Sequence, residues 1–321
     1  MSTGFGLMSY SARGTYAGVP ERTPDDLGGA RAVIVGAPFD WGTSGRPGAR
    51  FGPKAIRESD ALHPDATRPR IDTGIDALQT LGVVDVGDVD MPPGYVEAGL
   101  ERIVDVVARI AGTGAVPIVL GGDHTVTYAD ATGIARARGA GTFALVHFDA
   151  HADTGETHYG QLHGHGTPMR RLIESGAVPG HRFVQIGLRG YWPPPEVFAW
   201  MREQQMRWYT MADIVDRGLG AVVDEAVERA ADGVDAVFVS VDIDVVDPGF
   251  APATGTPEPG GLSAREILDT VRRIGRDLNV VGADVVEVSP PYDGPGEITA
   301  RLANRVVLEL LNGMAERMAA G

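Results

Sequence analysis

The residues best equipped for chemistry in this chain are histidines and aspartates gathered in three short stretches. Gly121-Gly122-Asp123-His124 follows one apolar run, Asp149, His151 and Asp153 follow another, and Asp242 and Asp244 follow a third. Spacings of two place side chains on one side of an extended backbone, so Asp149, His151 and Asp153 are expected to converge, as are Asp242 and Asp244. Together with His124 they would set four carboxylates and two imidazoles at one point, a charge a fold holds only beside compensating cations. Six of the eight histidines fall between His124 and His165, which scattered core histidines would not produce. There is no cysteine, so nitrogen and oxygen alone would ligate, a donor set that suits manganese-like ions; two Mn2+ are expected. Two such ions sharing a water would lower its pKa enough to present hydroxide near neutral pH. Read singly, His124 could be a helix-entry residue and Asp242-Ile243-Asp244 an acidic turn; the Asp149–Asp153 run is the specific part. His147, inside its strand, is expected to pack or to support the ligands from behind, Asp123 to orient a loop, Asp247 before Pro248 to fix a turn, and His158 and His163 to lie in solvent.

Positioning these residues calls for strands that end where they begin. Short apolar, β-branched runs alternate with stretches of helical spacing, the pattern of a parallel sheet with helices packed on it. The expected strands are Ala32–Val35, Val83–Val86, Pro117–Leu120, Phe143–Phe148, Phe183–Ile186, Ala236–Val241 and Val280–Val286. Their unbroken apolar character fits strands covered on both faces. The expected helices include Val96–Ala111, Ala264–Ile274 behind a Ser263/Glu266 capping box, and Arg301–Met318. The tract from Gly190 to Pro195 reads as a rigid loop after a strand. One domain over residues 32–321 is expected, preceded by an N-terminal arm over residues 1–31 whose first part, Met1–Pro20, is polar and flexible or engaged in oligomer contacts.

Bulk composition narrows the partners. The chain has 321 residues, 43% hydrophobic and 22% charged, and carries a formal charge of -15. Nucleic acid is disfavoured, because phosphate binding needs clustered Lys and Arg. No run approaches the ~18 apolar residues of a spanning helix, and the first residues lack the basic start and apolar run of a secretory signal. A soluble, cytoplasmic protein without a membrane partner is expected. The acidic balance mildly favours a cationic substrate.

The motifs resemble the ureohydrolase family of arginase and agmatinase. They are Gly121-Gly122-Asp123-His124, His147-Phe148-Asp149-Ala150-His151-Ala152-Asp153, Ser240 to Pro248, Gly255 to Gly261, and Glu287-Val288-Ser289-Pro290, and the early segment Gly42 to Pro53 is similar to the agmatinase branch. The resemblance runs from about Val33 onward. It implies a three-layer α/β/α fold around an eight-stranded parallel sheet, two manganese ions, release of urea, and a homotrimer or homohexamer. The ligands it implies, His124, Asp149, His151, Asp153, Asp242 and Asp244, are those the spacing selects. His165, in His165-Gly166-Thr167-Pro168, resembles the family's proton-shuttle histidine, with His163 as the competing choice. Glu287 is suited to a guanidinium, since one carboxylate can accept two parallel N–H bonds. Asp153 is expected to hydrogen-bond the bridging hydroxide as well as to ligate.

Substrate choice is expected to rest with the loop from Thr154 to Leu162. It has Gly155 and no Ser/Thr-rich stretch, which disfavours arginine. A small cationic guanidino compound comes first: agmatine, hydrolysed to putrescine and urea, with Glu156 taking the free amine. A guanidino acid such as 4-guanidinobutyrate comes second, its carboxylate met by Arg189 or a neighbouring subunit. His163 is a further candidate for substrate contact. A catalytically silent metal-binding relative and a dinuclear phosphoesterase are the readings from other classes.

Overall fold

The computed structural model describes residues 14–60 and 66–320. Its eight strands are β1 (Ala32–Gly36), β2 (Val84–Asp88), β3 (Val116–Leu120), β4 (Ala144–Phe148), β5 (Phe183–Leu188), β6 (Arg207–Thr210), β7 (Val237–Asp242) and β8 (Val280–Val286). They form one all-parallel sheet in the order β2-β1-β3-β8-β7-β4-β5-β6. Seven correspond to the apolar runs in the sequence. The eighth, β6, was not expected from the residues: it is a four-residue edge strand, Arg-Trp-Tyr-Thr, exposed at Arg207 and buried only at Tyr209, so it lacks the all-apolar signature of a strand covered on both faces.

Alternate residues of each strand feed two separate cores. Ile118, Val146, Val184 and Val239 belong to the core under the helices α3 (Ala264–Asp277) and α4 (Ile298–Ala320). Val119, Leu145, Phe183 and Phe238 belong to the core under α1 (Val96–Gly112) and α2 (Thr125–Arg138). This is the period-two alternation of a sheet sandwiched between helix layers. The Ser263/Glu266 capping box forms at the start of α3, satisfying backbone donors that the first helical turn leaves open.

The described part of the N-terminal stretch is laid down on the domain. Tyr16 is fully buried, its hydroxyl donates to the Asn304 carbonyl at 2.8 Å, and its backbone N–H donates to Asp85 Oδ2 at 2.8 Å. Flexibility is therefore not what residues 14–20 show; an aromatic ring in the core outweighs the polar composition around it. Met1–Arg13 lie outside the described residues. Among the described residues no helix is long and apolar enough to cross a membrane.

Candidate dinuclear metal site

Four strands adjacent in the sheet, β3, β8, β7 and β4, deliver the site at their carboxyl ends, where open α/β sheets gather functional groups. His124 follows β3, Glu287 follows β8, Asp242 ends β7 and Asp149 follows β4. His124 Nδ1 lies 3.0 Å from Asp149 Oδ2, 2.9 Å from Asp153 Oδ2 and 3.0 Å from Asp242 Oδ2. His151 Nδ1 lies 3.0 Å from Asp244 Oδ2 and 3.6 Å from Asp149 Oδ1. Asp149 thus turns one oxygen to each imidazole, which gives two adjoining donor clusters joined through its carboxylate.

The local backbone that achieves this differs from the extended geometry expected from the spacing. Asp242 caps a 3-10 turn, Ile243–Val245, and accepts the Asp244 N–H at 2.8 Å. After β4 the chain bends, the His151 N–H donates to Asp149 Oδ1 at 2.5 Å, and Asp153 adopts φ 51°. That left-handed conformation is strained for a residue with a side chain and is held by its surroundings. The residues converge through turns, not along straight strands.

The clusters suit cations. His124 is fully buried, and its Nδ1 makes no hydrogen bond although three carboxylate oxygens surround it; its other nitrogen, Nε2, sits 3.1 Å from Ser240 Oγ. An orphaned imidazole nitrogen facing carboxylates is the arrangement of a metal ligand set. Electrostatics point the same way. Burial, then Asp244 and Asp149, push the Asp242 carboxyl well above the usual range. Burial lowers the pKa of His151, but Asp244 and Asp149 outweigh it and carry the ring up to about 12. The acidic cluster draws positive charge by whatever means is at hand. Chelation of bound metal should accordingly lower the thermal unfolding midpoint, by the equivalent of about 4 kcal/mol from an ion concentration a thousand times its Kd; scanning calorimetry with and without chelator reads this, and an unchanged midpoint would count against metal binding.

Beside this cluster lies a second group. Glu287, at φ 62°, accepts from the His124 N–H at 3.0 Å and faces His165 Nδ1 at 2.9 Å, both through Oε1. Its Oε2 is buried without a partner. Gly255 keeps that oxygen open, since a Cβ there would come within 3.1 Å of it. The expected two-oxygen grip on a guanidinium is therefore half taken, and Oε2 is the oxygen left to receive a donor. His165 Nε2 receives the Ser44 N–H at 3.2 Å and lies 2.8 Å from Ser44 Oγ. Burial lowers the His165 pKa, but the neighbouring Glu287 carboxylate outweighs it and raises the ring to about 9.

Ser44 was missed as a site residue in the sequence, although its segment carried part of the family likeness. The fold brings it in through a close approach: Gly122 passes against the loop after β1 so tightly that a Cβ would fall 1.7 Å from the Phe39 carbonyl oxygen. Asp123 then accepts the Gly42 N–H at 2.7 Å and the Thr125 N–H at 2.9 Å, tying that loop to the start of α2. Asp247 likewise holds its turn by accepting from Gly249 and Gly260.

A cleft of about 370 Å³ opens beside the two groups and meets the second through Ser44 and His165, while Glu287 itself is buried and outside the lining. Its lining includes Ser44, His151, Asp153, His165 and Asp242, with Thr157, His158, Tyr159 and Trp192 farther out. His158, expected in solvent, and Trp192, from the Gly190–Pro195 loop, are thus cleft residues. Glu156 is exposed and outside the lining. His163 packs on Tyr128, ring centroids 5.1 Å apart, and is also outside the lining. Alternation along an irregular loop does not obey a strand's period, so the sequence could not say which of its side chains turn inward. Arg189 is spent on backbone: its guanidinium donates to the carbonyls of Asp244, Glu258, Pro259, Gly187 and Val245.

Comparison with known proteins gives the family. Residues 30–312 match the family described as the Arginase family. The chain belongs to that family. It is 42% identical to proclavaminate amidinohydrolase of Streptomyces clavuligerus over 92% of this chain and 93% of the relative. The solved structure of proclavaminate amidinohydrolase from that organism superposes with a TM-score of 0.87, at 39% identity, covering 97% of this chain and 100% of that one. The mitochondrial agmatinase of Gallus gallus is 39% identical over 88% of this chain and 81% of its own length. The human mitochondrial guanidino acid hydrolase is also 39% identical, over 88% of this chain and 78% of its own. The family shows a hydrolase acting on guanidino groups, built on an arginase-like sheet.

Proposed function

We propose that this arginase-family protein hydrolyses a small linear alkylguanidine to urea and an amine, with two Mn2+ ions held by His124, Asp149, His151, Asp153, Asp242 and Asp244. The observation that carries the reading is the pairing of an orphaned His124 Nδ1 amid carboxylates with an orphaned Glu287 Oε2 beside it. One group asks for metal and the other for a cationic N–H donor. Bound there, the ions supply an activated water and an electrophilic field.

The chain's own residues do the rest. Glu287 Oε2 accepts a guanidinium N–H and fixes the carbon over the donor clusters, which lowers the barrier by orientation. Asp153 turns its carboxylate to the same point and accepts a hydrogen bond from the attacking water. His165, steadied by Glu287 on Nδ1, protonates the departing amine from Nε2; the contact of Ser44 N–H with that nitrogen belongs to the neutral ring left after the transfer. Trp192 and Tyr159 wall the cleft where the alkyl tail runs.

Agmatine is the first substrate. No Lys or Arg lines the cleft among the described residues, and the aromatic faces of Trp192 and Tyr159 can receive an ammonium group. A guanidino acid is the second, favoured by the names of the Streptomyces clavuligerus and human relatives; there Thr157, Tyr159 and His158 would donate to a carboxylate. Urea release measured with Mn2+ across agmatine, 4-guanidinobutyrate, 3-guanidinopropionate and arginine tests this. Agmatine is expected to give the highest kcat/KM and arginine the lowest. Preference for an acid reverses the tail assignment, and metal binding with no urea from any of them overturns the hydrolase reading.

A further inference from the structure

One step below the carboxylates, neighbouring strands set polar side chains in a single register row. Gln185 on β5 stands opposite His147 on β4, His147 opposite Ser240 on β7, and Ser240 opposite Asp284 on β8. All four are fully buried, in a sheet whose other residues at this depth are apolar. A buried polar row persists only where its hydrogen bonds have a use.

The proton positions at one end of the row follow from the contacts alone. Gln185 Nε2 lies 2.8 Å from the Ala152 carbonyl oxygen and 2.9 Å from His147 Nδ1. A carbonyl oxygen can only accept, so the Gln185 atom facing it is the amide nitrogen, and the amide cannot be turned the other way. The second hydrogen of that nitrogen meets His147 Nδ1, which must then offer a lone pair. The ring proton is therefore on Nε2, 2.8 Å from Asp149 Oδ2, and is donated to it. Gln185 Oε1 has no partner, so nothing but these two contacts sets the amide's orientation.

We infer that Gln185 is a positioning residue for the metal site: by keeping the His147 proton on Nε2 it makes that ring a donor that aims Asp149, and stops the ring from ligating in its own right. The exclusion matters because His147 Nε2 and His124 Nδ1 both approach the same oxygen, Asp149 Oδ2, at 2.8 and 3.0 Å. With a lone pair on Nε2, His147 would compete with His124 for the ion and loosen the carboxylate that joins the two clusters. Orienting partners of this kind carry a measurable share of metal affinity. The inference rests on the reading of Asp149 as a ligand.

The test uses the full chain with 15N-labelled histidine. In metal-free wild type, long-range 15N–1H correlation should show His147, assigned through a His147→Asn control, with its proton on Nε2. Gln185→Met keeps the side chain's length and apolar stem but removes both donors, and should shift the ring towards a mixture of tautomers. Mn2+ affinity, read by chelator competition, should fall roughly 10–100-fold, with kcat reduced more than KM. A Gln185→Met protein that unfolds at the wild-type temperature and keeps both the tautomer and the affinity overturns the inference. If Asp149→Ala also kept the wild-type affinity, the ligand reading beneath it would fall with it; if Asp149→Ala lost metal, only the role of Gln185 would fall.

Discussion

Asp149→Ala should lose metal and urea release together. Among the described residues Asp149 is the one carboxylate that faces both imidazoles, Oδ2 towards His124 and Oδ1 towards His151, so its removal unmakes both donor clusters. The loss of Mn2+ affinity should exceed the roughly 10–100-fold that accompanies loss of an outer hydrogen-bonding partner. Metal-free, the variant should also unfold below wild type: burial raises the Asp149 carboxyl, but His147, His124 and His151 outweigh it and hold it well below the usual carboxylate range, and its removal leaves the buried His147 Nε2 and the His151 N–H without their acceptor. Wild type should gain stability on adding Mn2+, and the variant little. Calorimetry of the four samples, alongside metal analysis, checks this; a variant that still takes up two ions would remove Asp149 from the ligand set.

His165→Ala should leave metal content unchanged and slow turnover by roughly 10²–10⁴-fold, the range for loss of a positioned proton donor. No contact joins His165 to the His124 or His151 ring; its side chain hydrogen-bonds with Glu287 and Ser44 and stands edge-on to His158. The pH profile separates this from simple damage to the cleft. Because Glu287 raises the His165 pKa to about 9 against the effect of burial, the protonated donor is present below that value and lost as pH rises through it. Wild-type turnover should fall on the alkaline side with a limb near that pKa, and the variant should lack the limb. Full activity in the variant would pass the proton donor's role to solvent.

Much of this site is legible in the residue order because ligands and strand ends coincide. The motif around Asp149 follows an apolar run that could only be a covered strand, and His124 and Asp242 follow two others, so one sheet topology brings them together. The geometry within each motif was not legible: a 3-10 turn at Ile243–Val245 and a left-handed Asp153 do what straight strands were expected to do. Ser44 reaches His165 through the close approach of Gly122 to Phe39 and the hydrogen bonds of Gly42 with Asp123 and the His165 backbone, a meeting of distant segments that no local pattern announces. Glu156 and His163 show the opposite error. Both have the right chemistry and neighbouring positions in sequence, but the loop turns one to solvent and packs the other on Tyr128. The edge strand β6 escaped because half-exposed strands mix Arg with aromatics.

The strand order has a consequence for how the protein is made. β8 is the latest of the described strands in sequence, yet it lies between β3 and β7. A chain emerging from the ribosome can build β2-β1-β3 on one side and β7-β4-β5-β6 on the other, but the two halves share no edge until residues 280–286 arrive. His124 belongs to one half and Asp149, His151, Asp242 and Asp244 to the other. During synthesis the nascent protein carries two open strand edges, the kind of surface that invites wrong pairing and chaperone attention, and it holds no complete set of ligands. The full donor set is thereby assembled late: the group around His151 can form within one half, but His124 joins it only when the last described strand bridges the two, so the whole cluster waits on that bridge.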